Sequence, residues 1–157
     1  MDVAHQTVSL DEANARLPLL RPLVASAMKI HAQLRPLVAR LEQLDIDVDR
    51  RLLNGKMPDD ADRSARFAIG RVQGLYAALR DLLAEIEDLG AELKDLETGL
   101  VDFRSYLDGR EEVYLCWRMG EPTIGHYHGL AAGYAGRRPV TGLEFSAEPS
   151  SAGRRHA

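Results

Sequence analysis

Two histidines stand one residue apart, at His126 and His128. On a strand, side chains at i and i+2 project from one face, so this pair has a spacing that can hold a metal ion. Glu121 precedes it, and Asp102 can approach from an earlier strand. Two imidazoles joined by carboxylates suit zinc, iron or manganese. A blander reading needs no ion. Each histidine is then half buried and bonded to a carboxylate or carbonyl, Glu121 caps the turn before Pro122, and Asp102 pairs with Arg118 or Arg104. A third reading makes a histidine–carboxylate pair the general base of a hydrolase.

The surrounding stretch, Gly99 to Gly136, holds the only tryptophan, the only cysteine and four of the five tyrosines. Trp117, Arg118 and Arg137 are candidates to touch a ligand. Arg137 and Arg138 could bind an anion or simply form a solvated turn. Cys116 has no nucleophile motif around it and reads as a small packed residue. His31 falls on a helix seam, where a tolerated core histidine is the commoner outcome. Gly129, Gly133 and Gly136 come without a P-loop lysine, which argues against a nucleotide-binding loop.

The elements that must position these residues are helices first. Ser9 precedes Glu12 by three, a capping-box spacing. From Leu10 the apolar residues keep a heptad: Leu10, Leu17, Val24, His31 and Val38 in one row, Ala13, Leu20, Ala27, Leu34, Leu41 and Val48 in the other. This predicts one helix over about 10–51, bent at Pro36. Asn54 to Asp60 is a loop by its turn residues, and Asp59, Asp60 or Asp62 can cap a second helix. That helix is predicted over about 62–93 from the row Ala68, Val72, Leu75, Leu79, Leu82, Ile86, Leu89 and Leu93. A short connection makes such helices an antiparallel, coiled-coil-like hairpin. At about 1.5 Å per residue each spans roughly 45–60 Å, more than the remaining chain covers. A homodimer through the long helices is therefore expected.

After Gly99 the period becomes alternating. Strands are predicted at Leu100–Leu107, Val113–Met119 and Ile124–His128, with Asp108-Gly109 as the first hairpin turn. A two-residue first loop pairs Leu115 with Asp102, and a four-residue second loop pairs Met119 with Ile124. Trp117 then faces His126 and Leu115 faces His128. In that register Asp102, His126 and His128 lie on the apolar side toward the helices. The expected architecture is α+β and predominantly α: a long antiparallel helical hairpin, then a small three-stranded antiparallel meander over about 99–130. Residues 1–145 read as a single domain and 146–157 as a flexible tail.

Composition narrows the class. At 157 residues and 45% hydrophobic, the chain can bury a core of its own. The net charge of −4 and the lack of a basic cluster exclude nucleic acid as an expected partner. No apolar run approaches the roughly 20 residues of a membrane span. One cysteine allows no internal disulfide, and no secretory signal is legible, so a cytoplasmic protein is expected.

The segments LDEANARLPLL, LKDLETGLVDF, GREEVYLCWRMGEPTIGHYH and GLAAGYAGRRPV resemble a bacterial family of unknown function, DUF2203. The likeness runs from about Val8 to Phe145. By resemblance, Glu12, Asn14, Pro18, Lys94, Asp95, Gly99, Asp102, Phe103, Cys116, Trp117, Gly120, Glu121, His128, Gly133 and Arg137 fall on the family pattern. His126 departs from it, since an aromatic residue is usual there. The resemblance thus shifts the weight to His128, with Glu121 and Asp102 as co-ligands. The sequence alone supports a helical homodimer that binds a partner or small ligand. Its rivals are a metal-binding protein, or metal-dependent enzyme, with its site at the sheet–helix junction, and the hydrolase.

Overall fold

Asp45 adopts φ 60° and stops the first helix. The computed structural model, which describes residues 6–151, gives α1 as Leu10–Gln43 rather than a helix reaching Arg51. The segment beyond alternates aspartates with Ile46 and Val48, types that compete with or crowd a helical turn. A short α2 follows at Arg50–Leu53, capped by Asp49. α3 is Arg63–Asp88, and Asp62 caps it by accepting from the Ala65 amide at 2.8 Å. Ser9 caps α1 through the Glu12 amide. α1 continues through Pro18, Pro22 and Pro36.

α3 also ends earlier than its apolar spacing suggests. Gly90 takes φ 79°, a left-handed stop just past the helix. The chain then enters β1, Ala91–Asp95. β2 is Leu100–Leu107, β3 Glu111–Arg118 and β4 His126–Gly129. A 3-10 turn at Tyr134–Gly136 leads to β5, Arg138–Pro139, and β6 is Phe145–Ser146. The sheet therefore has six antiparallel strands, in the order β1-β2-β3-β4-β5 with β6 on β2. This corrects the three-stranded meander, although helices still precede sheet. Leu89 and Leu93 keep a helical spacing across the break, which hides β1. The two-residue β5 and β6 are too short to show alternation.

β2 organises the sheet. β3 pairs along all of one edge. The other edge is filled by three segments in turn: Ala91 to Leu93 opposite Phe103 to Val101, then Val8, whose amide donates to the Arg104 carbonyl, then Phe145 opposite Leu107. Residue 146, placed at the start of the tail by composition, belongs to this ladder; residues 152–157 lie outside the described residues.

One sheet face packs on the helices. Val101, Phe103, Val113, Leu115 and Trp117 are fully buried there, with Leu17, Leu20, Val24, Ile69, Val72 and Ile86 in the same core. No helix among the described residues is long and apolar enough to cross a membrane.

The first hairpin sets what lies on the opposite face. Asp108 and Gly109 both have positive φ, as the Asp-Gly signal implies, and Arg110 donates to the Leu107 carbonyl. Arg110 is nonetheless an extra residue, because Leu107 pairs with Glu111. Asp102 consequently pairs with Cys116, not Leu115. On the next strand Cys116 pairs with His126 and Tyr114 with His128. A one-residue change of register turns every side chain over. Asp102, His126 and His128 thus share the face away from the helices, not the apolar face.

Candidate metal centre

Asp102 on β2 and His128 on β4 flank β3. Two strand spacings separate their backbones by roughly 9.5 Å. Their side chains meet over β3, where Cys116 is the register partner of Asp102 and Tyr114 that of His128. His128 Nε2 lies 3.2 Å from both Oδ1 and Oδ2 of Asp102. A nitrogen of His128, an oxygen of Asp102 and Cys116 Sγ all lie within 4.8 Å of one another. All three residues are buried, at 3%, 3% and 0% exposure for Asp102, His128 and Cys116.

The backbone fixes the histidine's tautomer. Nδ1 is 2.8 Å from the Gly129 carbonyl, which can only accept, so Nδ1 carries the proton and donates. Nε2 is left to face the carboxylate and the thiol. Tyr114 leans on the imidazole, with ring centroids 5.4 Å apart. Its own ring is held by the Lys94 ammonium at 4.7 Å, and its hydroxyl accepts from Arg104 at 3.2 Å. The ring orientation of His128 is thereby supported by groups outside the cluster.

Burial governs the protons here. Desolvation pushes the Asp102 carboxyl above the ordinary carboxylate range, against the pull of His128 and of the Cys116 thiol bonded to it. Burial, and then the Asp102 charge, push the Cys116 thiol up to about 12. A divalent cation would reverse both tendencies, since a coordinating thiol is deprotonated outright.

The other site residues form a second cluster on the same face. Arg137 Nη2 donates to both Glu121 oxygens at 2.9 Å and to His126 Nδ1 at 3.1 Å. Glu121 Oε1 also accepts from the Arg118 amide at 2.6 Å. Glu121 is therefore occupied as the brace of the β3–β4 loop, and His126 Nδ1 as an acceptor. Trp117 lies on the opposite, core face and donates from Nε1 to the Glu121 carbonyl at 2.9 Å. Arg118 is exposed, within 3.5 Å of the Tyr134 hydroxyl. His31 lines a groove with Leu34, Val38 and Tyr76 elsewhere on the helices.

Sequence reasoning read Cys116 as a small packed residue, and it is fully buried; what it overlooked is that Cys116 stands beside Asp102 and His128 and that Tyr114 leans on the imidazole. The available signal was alternation: Tyr114 and Cys116 share the face of Asp102 once the loop length is known.

A family of uncharacterized conserved proteins, DUF2203, matches residues 6–140. The chain belongs to the DUF2203 family. The matched span contains Asp102, Cys116, His128 and the whole second cluster. No curated protein and no solved structure matches the chain.

Proposed function

We propose that this DUF2203 member binds a divalent transition metal, zinc foremost, through the Asp102 carboxylate, the Cys116 thiolate and His128 Nε2. The observation that carries this reading is the pairing of His128 with Asp102. A charge-assisted N–H···O bond is normally about 2.7–2.9 Å, shorter than either contact here. Two ligand atoms bound at about 2.0–2.1 Å to one tetrahedral ion stand about 3.3 Å apart, close to the spacing found. The donor set also fits: one soft thiolate, one neutral imidazole of fixed tautomer and one carboxylate suit zinc or iron. Three protein ligands leave a fourth position for water or substrate, where zinc would act as a Lewis acid or activate water.

Cobalt(II) substitution tests the reading. The cobalt form should show a thiolate-to-metal absorption band in the near ultraviolet that vanishes in Cys116→Ser and weakens in His128→Ala. A folded protein that yields no such band with cobalt would refute it.

A second reading concerns partners. We infer that the helices pair with a second copy of the chain. The motive is the pair of large apolar side chains the long helices leave open, Phe67 at 79% exposure and Leu19 at 64%. Sedimentation velocity should give a dimer at micromolar concentration, and a stable monomer would contradict it.

A further inference from the structure

Charge is distributed along α3 in the order that suits a lone helix least. Apart from its Asp62 cap, the first turn holds no acid and opens with Arg63, and the last turn holds Glu85 and Asp88 but no base. A helix dipole favours the reverse, acids at the N-terminus and bases at the C-terminus. α1 follows that preference, with Asp11 and Glu12 in its first turn and Arg40 in its last. Neither Arg63 nor Asp81 makes an ion pair among the described residues.

These charges frame an exposed apolar stretch. α3 buries Ala65, Ile69, Val72, Leu79 and Ile86. On the opposite face Arg63, Phe67, Gly70, Gly74, Ala77 and Asp81 follow the four-then-three spacing of one helix stripe, and all are exposed. Phe67, at 79%, is the most open large apolar side chain among the described residues. Gly70 and Gly74 weaken a helix interior relative to alanine. Packing within the fold does not require them, since a Cβ at either position would meet no atom within 4 Å.

We propose that α3 pairs through this face with α3 of a second copy of the chain, antiparallel, about a two-fold axis midway between Gly70 and Gly74. The proposal rests on the helix-pairing reading above and adds the face and the direction. In this register Arg63 meets Asp81 of the second copy, Phe67 lies over its Ala77, and Gly70 meets its Gly74. Each contact occurs twice, as an isologous interface requires. The basic end of one helix then lies along the acidic end of the other, so the charges that burden the lone helix stabilise the pair. The glycines let the backbones approach until each Phe67 is covered. A parallel pairing would set Arg63 against Arg63 and Asp81 against Asp81, a like-charge arrangement that is disfavoured.

Sedimentation of the full chain over a concentration series tests this by reading the dimer dissociation constant. Gly74→Gln adds a side chain where the single chain has open space, so the protomer should fold as before, with circular dichroism as the check. The dissociation constant should nevertheless rise at least about tenfold. Arg63→Asp and Asp81→Arg should each raise it severalfold, and the two together should bring it back towards the parent value. These exposed positions keep the test open if the glycine variant misfolds. A parent dimer left unchanged by folded Gly74→Gln and by both charge reversals overturns this inference and leaves the helix-pairing reading standing. A parent that stays monomeric removes both.

Discussion

His128 reaches across β3 to Asp102, placing Nε2 3.2 Å from each carboxylate oxygen, while its Nδ1 proton goes to the Gly129 carbonyl at 2.8 Å. The histidine is thus oriented by backbone on one side and aimed at an acid and a thiol on the other. Tyr114 and the groups holding it complete the support.

The thiol should be inert in the metal-free fold. With its pKa pushed up to about 12, Cys116 holds its proton at pH 8. Iodoacetamide should modify it at least about 100-fold more slowly than in the guanidinium-unfolded chain, because only the thiolate reacts. Equal rates would contradict the burial argument.

The same shift gives a pH dependence. The unfolded chain loses this proton near the ordinary value of 9.0, the folded chain only near 12. The folded state's pKa is raised, so the stabilisation is complete below pH 9 and is lost as pH rises from 9 to 12. Denaturation of the parent minus Cys116→Ala, measured without metal, should show that slope. A flat difference would count against it.

Glu121 should prove a brace and not a ligand. Glu121→Gln weakens the pairing with Arg137 and the Arg118 amide, so stability should fall by about 1–2 kcal/mol in urea denaturation. Zinc content should stay at the parent level. Loss of zinc in a folded variant would return Glu121 to the ligand set.

Asn14 ties α1 to the same loop, its Oδ1 accepting from the Ile124 amide at 2.8 Å. Asn14→Ala leaves the amide of the buried loop residue Ile124 unpaired and should cost about 1–3 kcal/mol. Unchanged thermal stability would show the tie to be idle.

The helices and the apolar sheet face were legible because periodicity reports burial. Leu17, Leu20, Val24 and Leu41 were read from the heptad and are buried, as are Val113, Leu115 and Trp117 from alternation. The site was legible in part: Asp102 and His128 were named and do meet. What hid the rest was the length of two turns. Arg110 adds one residue to the hairpin, and that moves Asp102 from Leu115 to Cys116 and to the other face. Composition carries no such count, so Asp102, His126 and His128 were assigned to the wrong face of the sheet. β1 was hidden because Gly90 breaks a row whose leucines continue in step on both sides.

Zinc content is the most direct measure of the central claim. After incubation with zinc and desalting, elemental analysis should find about one equivalent per chain, falling below about a tenth in Asp102→Ala, Cys116→Ala and His128→Ala and unchanged in His126→Ala. Less than about a tenth of an equivalent in the folded parent, or full loading in folded His128→Ala, would contradict it.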